Sequence, residues 1–188
     1  VIITSPSLAD ALAPLAELKM QFGLRSEIVT TDWIASSFEG FDLQEKIRSF
    51  ISYAWMNWQT EFVLLGGDTG TVPHRSLYVK AGMEIEPDIP SDMYYACLDG
   101  SWDGDGDGIF GEPGEEDLLP EVSVGRLPVD SEEEAADFMA KMISYSLTPP
   151  LEACSRALMA GELLWSIDGI ETWGGDFKDE IVSGSDAW

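Results

Sequence analysis

FVLLGGD, Phe62 to Asp68, is the stretch that decides the fold. Four consecutive apolar residues without polar alternation mark a strand covered on both faces, and the GGD that follows ends it at the carboxyl-terminal edge of a sheet, where open α/β folds gather turns and ligands. Upstream, Asp42 with Glu45 three residues on forms a capping box that opens a helix carrying Ile47, Phe50, Ile51 and Ala54 on one face. Before it lie a strand from Glu27 to Thr30, a helix with Pro14 in its first turn and its end at Gly23, and a first apolar strand from Val1 to Ser5. Three strands separated by two helices define a parallel sheet.

Downstream the pattern changes. Ser76 to Pro90 alternates weakly and contains Gly and Pro, which predicts a hairpin, and Met93 to Leu98 and Val122 to Leu127 read as strands on either side of an acidic loop. Ser131 with Glu134 is a second capping box, opening a helix with the stripe Ala135, Phe138, Met142 and Tyr145. Thr148, Pro149 and Pro150 break the chain; Ala157 to Ala160 reads as the first strand of a new crossover and Gly174 to Val182 as its helix. The expectation is an α/β fold with a mainly parallel sheet flanked by helices, an inserted hairpin and an acidic calcium-type loop, divided into residues 1–150 and the opening, 151–188, of a second unit.

The acidic loop, SWDGDGDGIFGEPGEED, carries the clearest chemistry. Asp103, Asp105 and Asp107 alternate with glycines, so carboxylates at every second position can turn to one centre while the glycines take backbone angles other residues resist. A hard cation makes this concentration of charge tolerable, and calcium, which takes six to eight oxygens in flexible geometry, suits it better than magnesium. The expected ligands are the three aspartates, the backbone carbonyl near Ile109, and a carboxylate from Glu112, Glu115 or Glu116. The loop is not an EF-hand: counted from Asp103, the twelfth position is Gly114 where a bidentate Glu belongs, and no helical pattern precedes it.

Composition narrows the function. The chain of 188 residues, 45% hydrophobic and 11% aromatic, can bury a substantial core. A net charge of −25, from 35 acidic and 10 basic residues, argues against nucleic acid and anionic membrane surfaces as partners. There is no apolar run of eighteen residues and no charged-then-apolar leader; a start directly in a strand fits processing or trimming. Cys97 and Cys154 leave a single disulfide open, although Cys97, in YYACL, reads first as a small core residue. Millimolar calcium outside cells suits such a loop, which points to a secreted or cell-surface protein.

In order and spacing, the segments GLRSEIVTT, FVLLGGDTGTVPHR, SDMYYACLDG, VSVGRLPVDSEEEA and ALMAGELLW resemble the gingipain-type family of secreted cysteine peptidases, relatives of caspases by fold. The resemblance implies two side-by-side α/β subdomains, of which this chain covers the first and the opening strand of the second. It implies a cysteine endopeptidase acting on protein or peptide substrates, whose catalytic histidine, in a His-Gly step, and nucleophilic cysteine lie in the second subdomain. Neither motif occurs here: the only histidine, His74, precedes Arg75, and neither cysteine stands in a nucleophile context. The isolated chain is therefore expected to be inactive and to need the remainder of its own catalytic domain. Pairing His74 with Cys97 or Cys154 is the internal alternative, but GGDTGTVP places His74 on a polar loop, expected to be exposed; Asp68 reads as a turn-forming acid.

Two residues match functional positions of the family. Glu162, at the end of ALMAGE, corresponds to the glutamate that orients the catalytic histidine, and Asp176, in GGD, resembles the aspartate lining the pocket for a basic side chain before the scissile bond. The intervening LLWSIDGIETWGG is longer and more aromatic than in the family, which leaves Asp168 and Glu171 as alternatives for the second role. The competing class is a non-catalytic, calcium-stabilised structural or interaction module.

Overall fold

The computed structural model describes residues 1–154, 156–167 and 170–185. The chain runs β1 (Ile2–Thr4), α1 (Ala9–Gln21), β2 (Ile28–Thr30), α2 (Thr31–Ser37), α3 (Leu43–Trp58), β3 (Phe62–Gly66), β4 (Arg75–Ala81), β5 (Glu84–Ser91), α4 (Met93–Ala96), β6 (Ser123–Leu127) and α5 (Glu132–Leu147). Then follow α6 (Leu151–Cys154), β7 (Leu163–Ile167), β8 (Ile170–Trp173) and α7 (Gly174–Ser185). Two compact units divide it, Val1–Ser144 and Tyr145–Trp188.

In the first unit the four strands β2-β1-β3-β6 form one sheet, parallel throughout, with Ile3 beside Val29 and Leu65, and Val63 beside Val124. Successive residues feed opposite faces. Ile3, Val63 and Leu65 pack with Ile47, Phe50, Ile51 and Ala54 of α3; Ile2 and Leu64 pack with Leu12 and Leu15 of α1 and Ala135 and Met139 of α5. Both faces of β1 and β3 are clad, so these two strands read as unbroken apolar runs. Where β3 passes α1, a β-carbon on Gly66 would lie 2.5 Å from Leu12 Cδ1, so a larger residue there would force the buried Leu12 side chain to shift.

The caps form as their sequences dictate. Asp42 Oδ1 accepts from the Glu45 N–H at 2.8 Å and Glu45 Oε2 from the Phe41 N–H at 2.6 Å. Ser131 Oγ accepts from the Glu134 N–H, while the Glu134 carboxylate reaches back to the Asp130 N–H. On α5, Ala135 and Met139 are buried, whereas Tyr145, expected in the stripe, is 58% exposed.

Four expectations are corrected. Met93 to Leu98 is not a strand: Met93–Ala96 forms the short helix α4, because the hairpin before it ends at Ser91, whose Oγ accepts from the Met93 N–H and starts a turn. Tyr94 and Tyr95 on that turn then enter the core under α3. Pro14 lies well inside α1, which begins at Ala9, rather than in its first turn. Ala157 to Ala160 carries no strand; the second unit instead pairs β7 with β8 as an antiparallel hairpin before α7. His74 is half-buried rather than exposed, with its carbonyl accepting from Gln44 Nε2 at 3.3 Å.

Candidate metal centre and the family it belongs to

The aspartate stretch of the acidic loop is flanked on both sides by aromatics. Trp102, immediately before Asp103, is buried with a left-handed backbone (φ 64°), and its carbonyl accepts from the Gly111 N–H at 2.7 Å. Its indole N–H donates to Cys97 O at 3.4 Å, a carbonyl that Arg48 also binds through Nε and Nη2. Phe110, at the far end, is buried edge-on to Tyr94, with the Arg75 guanidinium 4.1 Å from its ring centre. Arg75 in turn binds both carboxylate oxygens of Asp42, at 2.8 and 2.9 Å. The aspartates thus run between two side chains packed in the core.

Between these anchors the aspartates orient one another. Asp105 Oδ1 accepts from the Asp107 N–H at 3.1 Å, Asp107 Oδ1 from the Ile109 N–H at 2.8 Å, and Asp103 Oδ1 from the Gly108 N–H at 3.4 Å. Glu115 Oε1 closes the ring by accepting from the N–H groups of Gly104 and Asp105 at 3.0 and 3.1 Å. Two overlapping groups result, Asp103 with Asp105 and Glu115, and Asp105 with Asp107 and Glu112; in each, one oxygen per residue lies within 4.8 Å of the others, close enough to hold a metal ion. Of the three glutamate candidates, the fold brings in Glu112 and Glu115 and turns Glu116 aside to accept from the Gly114 N–H.

The residues fit a hard cation. Glu115 Oε2 is buried with no hydrogen-bond partner, although a carboxylate oxygen out of water needs a donor or a positive charge. The Glu112 carboxyl is raised above the ordinary glutamate range by partial desolvation and by the charges of Asp107, Asp105, Glu115 and Asp103. Oxygen-only donors in a glycine-rich loop are the ligand chemistry of calcium or magnesium rather than of thiolate- and imidazole-seeking metals. A third acidic group, Asp99, Asp117 and Glu121, flanks the loop and was not singled out from sequence. Its members are spread over the segments on both sides of the loop, and only folding reveals their proximity. There Asp117 raises the Asp99 carboxyl by hydrogen bonding, and Glu121 Oε2 accepts from the Leu98 N–H.

Asp68 is the turn-forming acid that its sequence suggests, with Oδ1 accepting from the N–H groups of Gly70 and Thr71. His74 Nδ1 is buried without a hydrogen-bond partner, and Cys97 is a free, fully buried thiol. Burial, then the nearby Asp117 and Glu121 charges, pushes that thiol up to about 11, the reverse of what a nucleophile needs. In the second unit Glu162 is exposed just before β7, and its carbonyl accepts from the Gly174 N–H at 2.7 Å. The two backbones cross so closely there that a β-carbon on Gly161 would lie 2.4 Å from the Gly174–Gly175 peptide. Asp176, in the first turn of α7, is exposed on the chain that leaves this crossing, and Glu171 accepts from the Trp173 indole at 3.1 Å. Asp168 lies outside the described residues.

A mixed α/β unit with a parallel sheet is shared with proteases of known structure. Residues 1–182 match the family model described as Peptidase family C25, and the chain belongs to that family. It is 28% identical over 161 residues to an uncharacterized protein of Archaeoglobus fulgidus, covering 76% of this chain and 33% of that one. Among solved structures, the Arg-specific cysteine proteinase gingipain R (RgpB) is similar with TM-score 0.53 and 24% identity over 77% of this chain and 28% of the proteinase. Dimeric latent PorU from Porphyromonas gingivalis is similar with TM-score 0.57 and 16% identity over 88% of this chain and 17% of that one. At these identities the structural likeness is one of fold. The chain spans about a third of the archaeal relative's length and less of the two structures.

Proposed function

We propose that this chain is the amino-terminal part of a secreted, calcium-stabilised cysteine endopeptidase, residues 1–150 forming the first subdomain and 151–188 opening the second. The observation that carries the reading is the family match along residues 1–182, in a chain whose single histidine lacks the following glycine of the family's His-Gly step and whose Cys97 is a buried, protonated thiol. The base and the nucleophile then come from the rest of the catalytic domain. There the chemistry is attack of a thiolate on a peptide carbonyl, an acyl-enzyme, and hydrolysis.

Calcium is the proposed cation of the loop, held by Asp103, Asp105, Asp107, Glu112 and Glu115 with the carbonyl of Ile109. Asp176 is proposed to bind a basic side chain of a protein or peptide substrate, and Glu162 to orient the histidine. Secretion supplies the calcium such a site needs. Among the described residues no helix is long and apolar enough to cross a membrane. The test is peptide hydrolysis by the chain alone and by a version extended through the second subdomain. Activity confined to the extended protein supports the reading; hydrolysis by the chain alone, abolished by Cys154→Ala, overturns it.

A further inference from the structure

The β4–β5 hairpin leaves the first unit with little of its own to hold it. β5 is exposed from Glu84 to Pro90, and Val79, Met83 and Ile85 face solvent. Its base, however, is tied to the acidic loop. The Tyr78 N–H donates to Phe110 O at 2.8 Å, the Arg75 guanidinium lies against the Phe110 ring, and Leu77 packs beside the backbone of Gly111. Phe110 is only three residues beyond Asp107, and Trp102 immediately precedes Asp103, so the three aspartates are strung between two core aromatics, with Glu112 and Glu115 following Phe110.

We infer that the loop is a cation-operated clamp on this hairpin: drawing Asp103, Asp105, Asp107, Glu112 and Glu115 onto one ion seats Phe110 against Arg75 and fixes the base of β4. This rests on the proposed reading of the loop as a calcium site. Without the ion, five carboxylates crowd a segment whose simplest relief is to open, and opening pulls on Phe110. Arg75 does not follow, because Asp42 at the start of α3 holds it through two hydrogen bonds. The fixed jaw is therefore Arg75 with Asp42, and the moving jaw is Phe110. The exposed hairpin is held in one orientation only while the loop is loaded.

Amide hydrogen exchange on the full chain in calcium chloride, magnesium chloride and chelator, with calorimetric titration of calcium in parallel, tests this. The expected result is calcium binding together with slower exchange at Tyr78, by up to about 100-fold at calcium a hundred times its Kd, because opening must then release the ion. Phe22 and Gly23 at the fraying end of α1 serve as controls and should not change. Phe110→Ala retains every carboxylate, so it should still bind calcium while Tyr78 loses its calcium-dependent protection. Should that variant not fold, the wild-type comparison alone decides. Calcium binding with unchanged exchange at Tyr78 overturns the clamp and leaves the calcium site standing. Absence of calcium binding overturns the site, and the clamp with it.

Discussion

Arg126 binds both carboxylate oxygens of Asp92, Nε to Oδ2 at 2.7 Å and Nη2 to Oδ1 at 2.6 Å. Its remaining nitrogen, Nη1, donates to the carbonyls of Gly67, Asp68 and Val72, so one guanidinium fastens the loop after β3 to the start of α4. The side chain is 13% exposed and its partner 28%. Arg126→Met strands a part-buried carboxylate and three carbonyls and is expected to cost about 3 kcal/mol, toward the lower end for a broken buried pair because Asp92 keeps some water. Arg25→Met, which breaks a pair 78% and 51% exposed, should cost close to nothing. Urea unfolding of both variants makes the comparison; equal losses would show that the Arg126 latch contributes no more than a surface pair.

Calcium should raise the melting temperature and chelator should lower it. Binding to the native state alone at a hundredfold excess over Kd adds about 2.7 kcal/mol. In the double variant Asp105→Ala, Asp107→Ala the two conditions should converge. A wild-type melting temperature indifferent to chelator would falsify a stabilising ion.

Cys97 supplies a pH signature. Its thiol is raised in the fold to about 11 from an unfolded value near 9.0, so the folded state favours the neutral form. The corresponding stability is fully present below pH about 9 and is lost as pH rises toward 11. In a Cys154→Ser background, thiol reagent at pH 8 should label Cys97 only as fast as the protein unfolds. Prompt stoichiometric labelling of the native protein would show that the thiol is accessible.

In the extended enzyme, Asp176→Asn should lower kcat/KM for Arg and Lys substrates far more than for Leu, because a site built for a charge-assisted hydrogen bond is left unpaired by a neutral partner. Glu162→Gln should lower turnover on all three alike. Uniform losses for Asp176→Asn would move the specificity role to Asp168 or Glu171.

The sheet was legible because a strand clad on both faces leaves a plain mark, as VIITS and FVLLG do, and because Asp42 and Ser131 are caps whose partners lie three residues on. The aspartate ladder was legible for the same local reason. What sequence missed depends on tertiary packing. YYACL is apolar enough for a strand, yet Tyr94 and Tyr95 are buried from a single helical turn, because Arg75 and Arg48 approach the Tyr94 ring and Pro73 accepts from the Tyr95 hydroxyl. In the second unit the expected strand at Ala157 gave way to an antiparallel pair whose partners, Leu163 and Trp173, lie ten positions apart in the chain and meet only on folding. Glu115 could be named but not chosen over Glu116, since Gly114 decides which of the two turns inward.

The place of β6 beside β3 also bears on the order in which the molecule assembles. Val63 and Val124 are sheet neighbours, but the hairpin, α4 and the whole acidic loop intervene in the chain. Pairing β1 with β2 closes a short crossover, whereas pairing β3 with β1 and docking β6 on β3 each close a long one, at an entropic cost that grows with its length. In the proposed reading, a loop drawn together by its ion shortens the effective span, and the cation then has a kinetic part in completing the sheet.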